Sequence, residues 1–285
     1  VDLLWNGGIG TYIKSSNETH QDVGDKANDQ LRVNGKDLHC RVIAEGGNLG
    51  ATQLGRVEYE LHNGRINTDF IDNSAGVDCS DQEVNIKILL NDLVSSGDIT
   101  LKKRNQLLEQ MTDDVSSLVL YNNFKQNIAI SLTSWQLKDY LDLVIRFMEH
   151  GEKVGHIDRE LEFLPDKKEL LARKAATGKS FTRPELSILL AYSKIILCRE
   201  ILSNNFDNDE KILNFAMLAF PGDIRTKYKN NIRNHYLIRE IAATKLSDKF
   251  VTDMGISFVQ QLQDEFNASA YAIVKCYIAA QEILD

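Results

Sequence analysis

Residues 38–48, Leu38-His39-Cys40-Arg41-Val42-Ile43-Ala44-Glu45-Gly46-Gly47-Asn48, decide the fold class. An apolar run of strand length passes straight into a turn of glycine and asparagine, and helical stepping follows over residues 51–62 through Leu54, Val57, Tyr59 and Leu61. Asn63-Gly64 is a reasonable helix stop. Upstream, residues 1–5 (VDLLW) read as a short buried strand closed by Asn6-Gly7-Gly8 and then Gly10. Downstream, residues 66–71 (INTDFI) read as a third strand leading into Asp72-Asn73-Ser74-Ala75-Gly76-Val77. The polar stretch 14–34 is expected to be a loop with one helical turn around residues 25–31. Strand, turn, helix, strand is the order found in half of a doubly wound parallel sheet.

Beyond about Asp81 the period changes. Apolar residues recur at three- and four-residue steps, as in Leu101, Leu107, Leu108, Met111, Val115, Leu118 and Val119, and again in Leu137, Leu141, Val144, Ile145 and Met148. Thr182-Arg183-Pro184-Glu185 has the spacing of a capping box at the head of a strongly apolar helix. Ser95-Ser96-Gly97-Asp98 interrupts the helical signal. We therefore expect an α/β region over residues 1–95 and an all-helical domain over residues 96–285, with no main-sheet strand after Thr100.

Composition bounds the function. The 285 residues are 43% apolar and 26% charged, ordinary for a globular chain. A net charge of -8 without a basic, aromatic-interleaved stripe argues against nucleic acid as a partner. No uninterrupted apolar run reaches membrane-spanning length, and no leader opens the chain, so a cytoplasmic protein is expected. Cys40, Cys79, Cys198 and Cys276 form no CxxC pair and read as reduced thiols, which makes the sequons at Asn17 and Asn267 chance matches. His20, His39, His62, His150, His156 and His235 lack metal-ligand spacing, read as surface or cap residues, and give no metal site. The chain has no initiator Met, starts on a strand-like run and stops after a helical one, so we expect a fragment of a longer polypeptide.

Three turns rich in glycine and asparagine, at residues 6–10, 45–50 and 73–76, each follow an apolar strand. In an open parallel sheet such turns converge on the ligand crevice. Glycine lets the backbone approach a planar ligand, and an Asn amide offers both a donor and an acceptor.

Ala44-Glu45-Gly46-Gly47-Asn48 resembles the E-G-A-N turn of the glutamate, leucine and phenylalanine dehydrogenase superfamily, and Asn73-Ser74-Ala75-Gly76-Val77-Asp78-Cys79-Ser80 resembles its N-x-G-G-V-x-x-S. The longer segments NLGATQLGR, INTDFIDNSAGVDCSDQEVNIK and FTRPELSILLAYSK are similar to the large-subunit, bacterial-type NAD-specific glutamate dehydrogenases. The resemblance implies a C-terminal fragment of such an enzyme, with residues 1–95 the later half of a Rossmann-like NAD-binding domain. It implies NAD as cofactor, contacted by Asn48 and Asn73, with Gly7 and Gly8 lining it. It implies Ser80 as holder of a substrate carboxylate and L-glutamate and 2-oxoglutarate as substrate and product. The partners it implies are the remainder of the same polypeptide and, in the full enzyme, further copies of itself.

Ala75 stands where the superfamily has glycine, and Leu49-Gly50-Ala51-Thr52 replaces a proline-threonine pair, which leaves a side-chain role for Thr52 open. The superfamily's pyrophosphate turn and catalytic lysine and aspartate have no counterpart here, since Gly7-Gly8-Ile9-Gly10-Thr11-Tyr12 does not open a helix. No catalytic residue is assigned, and the chain alone is expected to be inactive. Two other readings stay open: a related NAD-dependent amino-acid dehydrogenase, and a helical interaction or regulatory module. Ser80 has a structural alternative too, since Ser80 and Glu83 have the spacing of a helix cap; Asp78, Asp81 and Glu83 cluster near the site but equally suit capping of the helix expected to start there.

Overall fold

A computed structural model describes residues 1–284. The chain divides into two compact units, each made from two separated stretches: residues 1–74 with 126–192, and residues 75–125 with 193–285.

The first unit holds every strand among the described residues, in two short parallel pairs. Strand β1 (Leu3–Asn6) pairs with β4 (Val42–Glu45), and β2 (Ile13–Lys14) with β3 (Val33–Asn34). Between β2 and β3 lie α1 (His20–Val23) and a 3-10 turn at Lys26–Asn28. Helix α2 (Gln53–Leu61) follows β4, then α3 (Asp69–Asp72). Ile13, Ile43, Ala51, Tyr59 and Ile66 form the small core here. Tyr59 is fixed in it by a hydroxyl donated to the Cys40 carbonyl at 2.9 Å.

Three expectations are corrected. Residues 66–71 are not a strand. Only Arg65 bridges to Val42, and then the Ile71 amide turns back to the Thr68 carbonyl at 3.1 Å to start α3. Asn67, Thr68 and Asp69 favour a turn through local side-chain bonding, which overrides the apolar run. The residue 1–5 strand is present but exposed, because β1 has one strand neighbour. The stretch 14–34 is not merely a loop, since β2 and β3 pair across it. The arrangement is thus a mostly helical α/β mix with short parallel strands.

Helix α4 (Ser74–Ser95) leads into the second unit and ends before Gly97, whose φ of +82° makes the turn to α5 (Leu101–Gln110). Helix α6 (Thr112–Lys153) runs through 42 residues with one non-helical residue, Tyr140. Then come α7 (Lys167–Thr177), α8 (Arg183–Leu202), α9 (Glu210–Leu213), α10 (Gly222–Lys227), α11 (Lys229–Arg233), α12 (Ile238–Met254), α13 (Phe258–Phe266) and α14 (Ala270–Leu284). The expected capping box heads α8: the Thr182 amide and hydroxyl both donate to Glu185, at 2.6 and 2.7 Å. In the second unit Ile86, Leu89, Leu90 and Leu93 of α4 pack with Met111, Val115, Phe220, Ile241 and Ala242. His235 lies in this unit as a buried residue, not a surface one. Its Nδ1 accepts the Leu237 amide at 3.0 Å and its Nε2 lies 3.1 Å from the Asn85 carbonyl, which makes Nε2 the protonated nitrogen. No described helix is long and apolar enough to cross a membrane.

Candidate functional site

Parallel pairing in the register Asn6↔Glu45 makes β1 and β4 end side by side, so the turns after them leave from one edge. The Gly46 amide donates to the Asn6 carbonyl at 2.7 Å. A Cβ on Gly47 would meet the Gly8 carbonyl oxygen at 2.7 Å, and one on Gly50 would run into the Asn6 amide. The two turns therefore touch through backbone that only glycine permits. Gly7 and Gly8 are exposed there, as is Asn48.

Asn73 caps the end of α3 and donates from Nδ2 to Asn48 Oδ1 at 3.1 Å. Two asparagines chosen from separate turns are thus brought together. The pairing leaves one amide donor, Asn48 Nδ2, and one acceptor, Asn73 Oδ1, without a side-chain partner among the described residues. The orientation of both amides follows from that bond.

Ser80 belongs to the second unit and is exposed inside α4. Because α4 starts at Ser74, Ser80 is not its N-cap, and Glu83 binds Lys87 at 3.1 Å. The capping alternative for Ser80 does not hold. Asp78, read as another possible cap, accepts the Asn122 amide at 2.7 Å.

The turn 45–51 is held by carboxylates. Glu45 is fully buried and takes a two-pronged bond from Arg56, Nε to Oε2 at 2.7 Å and Nη2 to Oε1 at 3.0 Å; its Oε1 also accepts the Ala51 amide at 3.0 Å. Burial pushes the Glu45 carboxyl above the usual range, with Arg56 opposing. Asp72 accepts the Glu45 amide at 3.1 Å and Asn67 Nδ2 at 2.8 Å; burial raises it too, against those bonds. Asp69 lies 3.5 Å from Arg56 and accepts the Leu49 amide at 2.7 Å. On the other side, the Thr11 hydroxyl donates to the Leu49 carbonyl at 2.7 Å and the Tyr12 amide to the Gly50 carbonyl at 2.9 Å. Thr52 does have a role: its Oγ1 caps α2 by accepting the Gly55 amide at 3.0 Å, and it donates to Glu18 at 2.6 Å.

Sequence reasoning missed Thr11, Arg56, Asp69 and Asp72. Only Arg56 left a signal, a charge three residues before the buried Tyr59 and so on the inner side of α2.

The sequence matches the bacterial NAD-glutamate dehydrogenase catalytic domain over residues 1–133 and the glutamate dehydrogenase C-terminal domain over residues 178–285. The chain belongs to the bacterial NAD-glutamate dehydrogenase family. It is 50% identical over 283 residues to the NAD-specific glutamate dehydrogenase of Pseudomonas aeruginosa. Over 282 residues it is 48% identical to that of Halomonas elongata, and over 283 residues 43% identical to that of Mycobacterium tuberculosis. Each match covers 99% of this chain and 17% of the relative, so the chain spans about a sixth of their length. The Asn48–Asn73 pair and Ser80 all fall within the catalytic-domain match. A neighbouring amide donor and acceptor at the end of a strand pair is suited to binding a primary carboxamide, which offers the complementary acceptor and donor.

Proposed function

We propose that this chain is the nicotinamide-facing part of an enzyme that oxidatively deaminates L-glutamate to 2-oxoglutarate and ammonium with NAD. The observation that carries the reading is the Asn48–Asn73 pair, whose open donor and acceptor complement the nicotinamide carboxamide. Glycine backbone at Gly7, Gly8 and Gly47 lets a planar ring approach closely. When bound, NAD supplies the hydride acceptor for the glutamate α-carbon. The protein's part here is to orient the ring through Asn48 and Asn73 and to hold one substrate carboxylate at the Ser80 hydroxyl. Water then hydrolyses the imine. Residues 1–95 act as the later half of a Rossmann-like cofactor domain, and residues 96–285 as a helical domain. The whole enzyme is a cytoplasmic homo-oligomer in this reading, and the remainder of the polypeptide brings the proton-transfer residues.

The test is substitution in a chain of the relatives' full length. Ser80→Ala removes one hydrogen bond to a charged group, a cost of roughly 1.5–3 kcal/mol. It should lower kcat/KM for glutamate about ten- to hundredfold while NAD affinity stays level. Asn73→Ala should weaken NAD binding. Equal losses for both substrates in Ser80→Ala would remove Ser80 from the site.

A further inference from the structure

Leu49, next to Asn48, has a φ of +59° and a side chain that is 65% exposed. A left-handed backbone is unfavourable for a residue with a β-carbon, and no packing of its own side chain holds Leu49 there. Both of its backbone polar groups are clamped. Asp69 takes the N–H at 2.7 Å and the Thr11 hydroxyl meets the carbonyl at 2.7 Å.

These two partners come from opposite sides of the turn. Asp69 is in turn held by the Arg56 guanidinium, which is anchored two-pronged on the buried Glu45. The left-handed step reverses the chain straight after Asn48. It sends the Gly50 carbonyl to the Tyr12 amide at 2.9 Å and the Ala51 amide back to Glu45 at 3.0 Å. The conformation of Leu49 therefore sets where the Asn48 Cα sits relative to Asn73.

We infer that Asp69 and Thr11 are positioning residues: by clamping Leu49 in the left-handed conformation they fix the Asn48 amide against Asn73 for the nicotinamide carboxamide. This rests on the reading of Asn48 and Asn73 as cofactor contacts. Arg56 acts one step further back, keeping the Asp69 carboxylate on the Leu49 amide. Loss of the clamp lets Leu49 relax to a right-handed or extended conformation and swings Asn48 away, so NAD use suffers more than glutamate use.

The experiment uses the full-length enzyme with separate NAD and glutamate titrations and NADH fluorescence binding. Leu49→Val places a β-branched residue at positive φ without touching any clamp group, and should raise the KM for NAD about tenfold. Leu49→Gly, free to adopt this φ, should match the parent enzyme. Asp69→Ala and Thr11→Val should raise the KM for NAD while the KM for glutamate stays within about twofold. Adding Leu49→Gly to Asp69→Ala should recover most of that loss, a rescue that a merely structural role for Asp69 would not give. If Asp69→Ala fails to fold, the Leu49→Val and Leu49→Gly pair decides alone. Asn48→Ala separates the two levels. If it leaves NAD use unchanged, the cofactor reading falls and this inference with it. If it weakens NAD use while Leu49→Val and Thr11→Val do not, the positioning inference alone is wrong.

Discussion

Residues 1–74 and the second unit are each stabilised by different physics. In residues 1–74, Glu45, Arg56, Asp69, Asp72 and Thr11 bind backbone groups and one another across loops, and the apolar core around Ile43 and Tyr59 is small. In the second, helices bury a continuous apolar cluster from Ile86 to Ala242. Apolar packing is non-directional and roughly proportional to area, so it stabilises without aiming any one atom. Charge-assisted bonds are directional, and a buried pair adds little net stability over a well-packed apolar pair. Residues 1–74, which carry the asparagine pair, lean on the force that sets direction; the second unit leans on the one that sets stability.

The sharpest way to break this contrast is to strand a buried charge. Arg56→Ala leaves Glu45 without its guanidinium and should cost about 3–5 kcal/mol. Replacing both partners, Glu45→Leu with Arg56→Met, should cost far less in stability and still disorder the turn. Pulsed thiol labelling in urea can assign the loss, because Cys40 reports the first unit and Cys79 and Cys198 the second. Equal destabilisation by the single and double changes would mean the pair is there for stability.

Next in size is a cavity in the second unit. Leu246→Ala, at a fully buried position of α12, should cost about 3 kcal/mol and speed labelling of Cys198 before Cys40. NAD affinity of the full-length enzyme should hardly change. A cofactor defect there would show that aim and stability are not separated in this molecule.

The smallest effect is pH dependence, and its sign differs between the units. Burial pushes the Glu60 carboxyl up to about 7, against the Arg183 amide and the charges of Arg183 and Lys179. Between the ordinary glutamate value and about 7 the folded state holds a proton that the unfolded state has lost, so stability falls as pH rises through that window. His235 goes the other way. Burial lowers its pKa from 6.5, so below that pH the unfolded state binds a proton the folded one refuses, and stability falls as pH falls. The change in urea midpoint between about pH 5.5 and about pH 7.5 should flatten on the alkaline side in Glu60→Gln and on the acid side in His235→Asn. An unchanged pH profile in both variants would count against these assignments.

What the sequence revealed follows the same division. Strands β1 and β4, their glycine turns and helix α2 were legible because each is a local pattern, an apolar run or a 3.6-residue period closed by Asn and Gly. The helical region was legible for the same reason. Residues 66–71 misled because Ile66, Phe70 and Ile71 look like a strand while Asn67, Thr68 and Asp69 bend the backbone. Strands β2 and β3 span two residues each and carry no period at all. Asn48 and Asn73 were named from the resemblance of their two turns to the superfamily's motifs, and the structure joins their side chains. The clamp of Thr11, Asp69 and Arg56 was not, because it joins residues far apart whose charges follow no repeat.

The interleaving of the two units also dictates an order of events during synthesis. A ribosome delivers residues 1–74 before residues 75–125, which belong to the other unit. Glu60 meets the Arg183 amide, and its own carbonyl meets Lys179 Nζ, only after both later residues have emerged. The contacts of Glu60 with the start of α8 therefore form only after the helices between have been made. Domains usually close one after another as they leave the ribosome. Here one unit is completed by residues 126–192 only after a piece of the other unit has intervened, so its closure is non-local in sequence.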